Sequence, residues 1–519
     1  MAITMELSAL LLLLPLLLAG FFFLSSVRGT GGYARRQPPA PPGLPIIGNL
    51  HQVGALPHRA LRDLAVAHGA PHLMRLRLGQ VPALVASSPT AAAALMREHD
   101  QAFATRPYFR TAEILTYGFK DLVLAPHGEH WRHVRRLCSA HVLSAASSHR
   151  YGGMKEQEVA LLVQVISSEA AASPAAVVDV SKALYRFAND VIFWAVSGRL
   201  SPEDEKRSEL FQELIEENAA LLGGFCVGDF FPALAWADVL LSGFAARARR
   251  NLKRWDELLE RVITEHEGKR RGGDGGAGDK EEEDFVDVLL ALQEESEMQE
   301  GFQLTRDIIK SLLQDMFAAG TDTSFIVLEW AMSELMKNPA AMRKLQHEVR
   351  KAPPPAAGPD ARGRDSTPYL RAVVKETLRL HPPVPLLIPR ECARDATVLG
   401  HHVARGTRVF VNAWAIHRDP DAWRAPDDFL PDRFLPESGQ EAVDLRGLHF
   451  QLVPFGAGRR VCPGLQFGLA TVELALANLV RLFDWELPPP GEELDMSDMP
   501  GLTVRRRVPL RLVAKPVGD

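Results

Sequence analysis

Cysteine is scarce in this chain: four in 519 residues, at Cys138, Cys226, Cys392 and Cys462, far apart and with no C-x-x-C pair. Such a set excludes a disulfide framework, a structural zinc site and a dithiol redox site, so any cysteine that matters acts singly. A basic excess is missing too. Lys and Arg number 59 against 64 Asp and Glu, a formal charge of −5, which argues against wholesale nucleic-acid binding while leaving room for a local basic patch. No internal repeat of fixed period occurs. What the chain does have is length, enough for roughly two to four ordinary domains or for one large fold whose interior can hold a cofactor.

Apolar residues are unevenly spread. Residues 7–27, LSALLLLLPLLLAGFFFLSSV, are nearly all apolar, and at about 1.5 Å per residue they span roughly 31 Å, the thickness of a bilayer core. Only Glu6 precedes the run and no small-x-small cleavage site follows it, which favours a membrane helix over a cleaved secretory signal. Arg28, Arg35 and Arg36 follow the span, an arrangement that leaves the N-terminus outside and the rest cytosolic. A cytosolic compartment suits reduced, unpaired cysteines. Next comes PPAPPGLPIIGN at 38–49, too proline-rich for helix; it reads as an extended spacer, with a ligand for an SH3-type domain as the competing reading. The expected division is therefore an anchor with its basic flank over 1–37, a proline-rich hinge over 38–49 and one domain over 50–519. Residues 269–284, rich in glycine and charge, read as a solvated loop, and 351–368 are also poor in large apolar residues.

Between these breaks helical periodicity dominates, at 155–169, 181–197, 247–267 and 284–295, while strand-like runs are short and cluster near 73–85 and 407–411. The fold class that follows is mainly α with a minor β region. The longest helix is expected to start after Thr305 as N-cap and to run to Asn338, where Pro339 can open the next. In its middle, after Ala319, stand Gly320, Thr321, Asp322, Thr323 and Ser324, five poor helix formers in a row. They read either as a local opening that admits a small ligand beside Gly320, with Thr323 and Asp322 able to pass protons, or as a polar turn at a helix–helix crossing.

Two further constellations stand out. Glu376 and Arg379, three apart, share a helix face that ends at Pro382-Pro383, and Arg433 in Pro431-Asp432-Arg433-Phe434 could join them in a buried triad. Taken alone, E-x-x-R is more often an exposed ion pair of little worth. The segment Phe455-Gly456-Ala457-Gly458-Arg459-Arg460-Val461-Cys462-Pro463-Gly464 combines glycines, which permit tight turns and close approach to a flat ligand, with a cysteine able to act as an axial ligand. A dinucleotide fingerprint fails there, since Val461 stands where a third glycine is needed. A cysteine nucleophile would need a particular histidine, which the sequence does not single out among 17.

Taken together, F-x-x-G-x-R-x-C-x-G at 455–464, E-x-x-R at 376–379, P-x-R-F at 431–434 and A-G-x-D-T-S at 319–324 resemble, in order and spacing, the motifs of the cytochrome P450 family. Trp131-x-x-x-Arg135, the apolar N-terminus and the proline segment match as well. Phrases such as PPGLPIIGNLHQ and KETLRLHPPVPLLIPRE look like microsomal plant members of its seventy-one clan.

The resemblance implies the cytochrome P450 fold behind one N-terminal transmembrane helix, with haem b as cofactor and Cys462 as the axial ligand of its iron. Trp131, Arg135, Arg390 and Arg460 would hold the haem carboxylates, with Phe455, Gly456 and Gly464 in the cysteine loop. Ala319 and Gly320 would form the oxygen groove, and Thr323 and Asp322 would organise proton delivery. Glu376, Arg379 and Arg433 would be a structural triad. The implied activity is a monooxygenase using O2 and electrons from NADPH through a membrane-bound reductase, with cytochrome b5 as a second candidate partner, at the endoplasmic reticulum membrane facing the cytosol. Arg132, Arg136 and Arg459 would help dock the reductase. The pocket would come from 105–118, 225–231, 312–319, 383–388 and 500–503, with Val384, Leu386, Leu387 and Ile388 as an apolar wall. Such a wall suits a small lipophilic or aromatic substrate, with indole-derived defence metabolites favoured among phenylpropanoids, terpenoids and xenobiotics. Two other functions stay open: a haem-thiolate isomerase or dehydratase acting on a peroxide without reductase, and a membrane binding module without haem. The chain departs from the family pattern at Asp432, where glutamate is commoner, and over 351–368, where acidic helical segments are usual.

Overall fold

The computed structural model describes residues 36–518, apart from 144–150, 174–175, 200–204, 238–242, 273–283, 298–300, 354–366, 439–442 and 489–492. The apolar run at 7–27, Arg28 and Arg35 lie outside the described residues, as do most of the two stretches read as loops. Five helices and four strands carry the site: α1 (Glu129–His141), α2 (Val180–Ser197), α3 (Arg306–Lys337), α4 (Pro368–Leu380) and α5 (Leu465–Leu482), with β1 (Leu73–Leu78), β2 (Val81–Ala86), β3 (Arg390–Glu391) and β4 (Arg408–Val411).

The strand-like runs at 73–85 and 407–411 meet in one sheet of order β1-β2-β4-β3, in which β1 and β2 form an antiparallel hairpin, β4 runs parallel to β2 and β3 is antiparallel to β4. Residues 38–49, expected as a spacer, are docked along β1: Arg75 N–H donates to the Pro39 carbonyl (2.8 Å), Asn49 N–H to Arg77 (2.7 Å) and Gly79 N–H to Ile47 (3.1 Å). The approach is close enough to demand Gly48, where φ is +60° and a Cβ would fall 2.0 Å from the Arg77 carbonyl oxygen.

Helices expected at 155–169, 181–197, 247–267 and 284–295 form as Gly152–Ala170, α2, Phe244–Gly272 and Phe285–Glu297. The third enters the stretch read as loop. Its last turn carries Lys269, Arg270 and Arg271, cations that favour the negative end of the helix dipole, and Arg270 pairs with Glu294 at 3.1 Å. Asp284, expected in solvent, is buried: it meets His266 Nε2 at 2.9 Å and accepts from the Asp287 N–H at the start of Phe285–Glu297.

Thr305 caps α3 by accepting from the Ile308 N–H (3.4 Å), and Pro339 opens the following helix. Across 320–324 the α-helix runs on without opening. The reason for the glycine is packing, because α2 crosses here and a Cβ at Gly320 would lie 2.4 Å from Ile192 Cδ1. Phe193 packs on Phe317 with centroids 4.7 Å apart, and Tyr185 meets Phe325 edge-on at 5.4 Å. The helix–helix crossing is thus the reading the backbone supports. Behind it lies α5, long and apolar enough to cross a membrane. It is a core helix instead, with Ala475, Leu476, Leu479 and Val480 buried beside α3.

Candidate active site

The cysteine loop is built by backbone hydrogen bonds and two left-handed glycines. Gly456 N–H donates to the Val453 carbonyl (3.0 Å) and Cys462 N–H to Phe455 (2.9 Å). Gly456 and Gly458 have φ of +67° and +69°, and a Cβ on Gly458 would fall 2.3 Å from the Met96 carbonyl oxygen. Gly464 differs, with an ordinary φ of −84° at the start of α5. Cys462 lines a cavity together with Phe455, Gly456 and Gly464. Burial pushes its thiol pKa up, and the Gly464 and Leu465 amides and the Arg135 guanidinium act the other way.

One face of α3 supplies another wall. Asp315, Ala319, Thr323 and Val327, four residues apart, line the cavity with Met316, Gly320 and Ser324. Thr323 Oγ1 donates to the Ala319 carbonyl (2.7 Å) and stays at the cavity surface. Asp322, about 100° further round the helix, is absent from that wall. It is buried, accepts from the Thr503 side chain and feels Arg505, with desolvation raising its pKa. The structure therefore does not bring Asp322 and Thr323 together on the cavity.

Ile192, Ala195 and Val196 of α2 and Pro383, Val384, Leu387 and Ile388 make the lining apolar. Leu386 instead packs in the cluster beneath β1. Residues 225–231 and 500–503, expected to line the pocket, do not; Thr503 sits behind α3.

At the cavity edge stand Arg135, Arg390 and Arg460 with Trp131, and Arg106, which belongs to the expected lining stretch 105–118 but was not named as a carboxylate partner. Arg106 donates to the carbonyls of Val123 (3.0 Å), Ile388 (2.6 Å) and Pro389 (2.9 Å). Arg460 donates to Ala104 (2.8 Å) and Ala125 (2.6 Å) and lies 4.2 Å from the Trp131 ring centroid. Arg390 reaches the Ala457 carbonyl (2.8 Å) and Arg135 that of Val461 (2.7 Å). Trp131 Nε1 donates to Leu122 (3.1 Å). Burial first and mutual repulsion second lower the Arg106 and Arg460 pKa values, the latter to about 9. Asp100 and Asp121 only partly offset this, and burial raises the Asp121 pKa to about 6. A buried rim of like charge is set up for an anion.

The cytochrome P450 family model matches residues 38–512. The chain belongs to the cytochrome P450 family. It is 43% identical to an indolin-2-one monooxygenase of Zea mays over 92% of this chain and 89% of that protein. A 3-hydroxyindolin-2-one monooxygenase of Zea mays is 43% identical over 97% and 93% of the two chains, and cytochrome P450 71A1 of Persea americana 43% identical over 90% and 91%. The protein is thus an oxidoreductase, a P450 monooxygenase with haem b, and NADPH through a reductase is the usual electron source of its class. The binding-module reading is overturned by these relatives. Haem b suits the residues present, which offer a soft sulfur donor on the cavity, cations at its edge for two carboxylates, and apolar walls for a flat ring.

In this P450 the expected buried triad forms. Arg379 donates to Glu376 through Nε (2.7 Å) and Nη2 (2.9 Å), and Arg433 Nε to Glu376 Oε1 (3.0 Å). Arg379 also donates to the carbonyls of His417 (2.8 Å) and Asp428 (2.9 Å), fastening α4 to the segment that follows β4. Asp315 belongs to the expected lining stretch 312–319 but was not singled out, although its spacing from Ala319 and Thr323 was a usable signal. Burial holds its carboxyl well above the ordinary range while the Leu122 (2.7 Å) and Val123 (3.2 Å) amides donate to it. Arg106 carried no such signal, because two of its three carbonyl partners, Ile388 and Pro389, are brought to it from nearly three hundred residues away.

Proposed function

We propose that this P450 inserts one oxygen atom of O2 into a small lipophilic, aromatic, indole-derived plant metabolite, with electrons passed from NADPH by a membrane-bound reductase. Substrate C–H, O2, NADPH and a proton give the alcohol, NADP+ and water. The observation that carries this reading is one cavity lined by the Cys462 sulfur, the Thr323 hydroxyl and an apolar wall of Ile192, Met316, Val384, Leu387 and Ile388. The names of the two maize relatives support the indole-type substrate.

In this reading Cys462 would bind the haem iron, Arg106, Arg135, Arg390 and Arg460 would hold the two haem carboxylates, Trp131, whose one N–H goes to the Leu122 carbonyl, would back the Arg460 guanidinium, and Phe455, Gly456 and Gly464 would bound the ring. When bound, the haem supplies the activation of dioxygen. The chain's own residues do the rest. The apolar wall orients the substrate and excludes water. Thr323 presents its hydroxyl oxygen as an acceptor at the cavity and can donate there only by rotating its proton off the Ala319 carbonyl, beside the space kept by Ala319 and Gly320. Asp322 acts from behind α3, with Thr503 and Arg505 as its contacts. Glu376, Arg379 and Arg433 retain the fold around the cofactor.

Residues 7–27 serve as a single anchor in the endoplasmic reticulum membrane, with Arg28, Arg35 and Arg36 keeping the domain over 50–519 on the cytosolic side. The reductase, and cytochrome b5 as a second donor, are the partners this placement suits.

The test is expression in microsomes, a carbon monoxide difference spectrum, and a panel of indolic, phenylpropanoid and terpenoid substrates with and without NADPH. Cys462→Ala is expected to abolish the thiolate spectrum, and indolic substrates to be oxygenated only with NADPH and reductase. Turnover of a peroxide without NADPH would establish the isomerase or dehydratase reading instead, against which the Thr323 hydroxyl on the cavity wall speaks.

A further inference from the structure

A buried histidine outside the cavity joins the triad helix to the cysteine loop. His417 has no exposed surface. Its Nδ1 faces the backbone carbonyl of Arg379 at 3.1 Å, and its Nε2 faces the backbone N–H of Val453 at 2.9 Å. The first partner is an acceptor only and the second a donor only, so the ring has one role open to it: neutral, protonated on Nδ1, donating to Arg379 and accepting from Val453. The Arg379 guanidinium returns the contact by donating to the His417 carbonyl.

Each end of this bridge matters. Arg379 is oriented by Glu376 on the same helix, and α4 is held to the segment after β4 by Arg379 on the carbonyls of His417, Pro426 and Asp428 and by Glu376 on Arg433. Val453 opens the cysteine loop, since its carbonyl accepts from Gly456 and the next turn ends with Cys462 N–H on Phe455. Other ties of the loop come from other directions: Arg390 on Ala457, Arg135 on Val461, Arg459 on Asp100, and Arg460 on Ala104 and Ala125. Among the described residues no other side chain bonds both Arg379 and the segment 450–464. Burial and the charges of Arg379 and Arg418 keep the imidazole neutral, as the bridge requires.

The geometry points to His417 as a positioning residue for Cys462, one that transmits the register of the Glu376–Arg379–Arg433 triad to the cysteine loop through the Val453 amide. The triad then holds the sulfur in place through an imidazole and not through bulk packing alone. The inference rests on Cys462 being the axial ligand.

The experiment uses the full-length holoprotein in microsomes or detergent, with His417→Gln, His417→Phe and, as a core control of similar destabilisation, Leu345→Ala. Two quantities are read: amide hydrogen exchange of peptides covering 450–464, and the fraction of carbon monoxide-bound haem showing the thiolate band. In His417→Phe the Val453 amide loses a buried acceptor, so exchange there should rise about tenfold or more and the thiolate fraction should fall. His417→Gln, whose amide offers one acceptor and one donor, should restore both in large part. Leu345→Ala should lower the melting temperature without either change. Unaltered Val453 exchange in His417→Phe, or equal effects in Leu345→Ala, overturns the bridge. A thiolate spectrum that survives Cys462→Ser overturns the ligand assignment instead, so the two failures are separable.

Discussion

Glu376 meets two guanidinia and has no exposed surface, which makes it a critical point of failure among the single residues. Removing it leaves Arg379 and Arg433 buried with their carbonyl contacts but without an anion, a loss of about 3–5 kcal/mol for a broken buried pair. Glu376→Gln should therefore give protein that retains little haem, measured as the haem-to-protein ratio after purification; normal retention would remove the triad from any structural role. His417 carries a pH signature of its own. Burial, then the Arg379 and Arg418 charges, push its pKa from 6.5 down to about 3. Between those values the unfolded chain binds a proton that the folded chain does not, so the stability this group contributes is present above about 6.5 and is lost as pH falls toward 3. The slope is at most about 1.4 kcal/mol per pH unit. Melting temperatures from pH 7 to 4.5 should show a shallower acid limb in His417→Gln than in the parent, and parallel limbs would count against the assignment.

At the scale of the element, α3 shows how a helix can be weak in propensity yet continuous. Gly320 costs roughly 1 kcal/mol relative to alanine in helix propensity, but alanine would drive its Cβ into Ile192 of α2. Ile192 lines the cavity, so its displacement is expected to reach the ligand space. Gly320→Ala should weaken binding of a bulky ligand by roughly tenfold, within the 1–3 kcal/mol typical of overpacking. Adding Ile192→Val, which removes the colliding Cδ1, should recover most of the loss; spectral titration of both variants decides. The limits of α3 were legible beforehand because capping is local: a threonine accepting from the third residue on, and a proline that starts the next helix. The fate of Asp322 was not, since one position along a helix turns a side chain by about 100° and only the arrival of Thr503 and Arg505 shows which direction is occupied.

At the scale of the whole molecule, α1 and the cysteine loop, joined by Arg135 on the Val461 carbonyl, present arginines to solvent. Arg132 and Arg136 on α1 and Arg459 in the cysteine loop are exposed, which suits steering of an acidic partner. They are not equivalent, because Arg459 bonds Asp100 at 2.7 Å, and Asp100 also lies 3.5 Å from Arg390 at the cavity edge. Reversing Arg459 would disturb the site itself. Arg132→Glu with Arg136→Glu is the cleaner test: haem reduction by the reductase should slow by about tenfold at low ionic strength, with the gap closing as salt rises. Equal rates at low salt would dismiss these arginines from docking.

Short-range chemistry and long-range contact divide the rest between them. Helix limits, the minor sheet, the lone thiol of Cys462 and the motif positions follow from the sequence by itself, because capping, side-chain periodicity and glycine conformation depend on a few neighbouring residues. Which arginines gather at the cavity edge, which way Asp322 turns, that residues 38–49 dock on β1, and that His417 ties Arg379 to Val453 were decided only by tertiary structure. Each of those is a meeting of segments tens to hundreds of residues apart, and burial of charge acquires its cost and its partner only once the chain has closed around it.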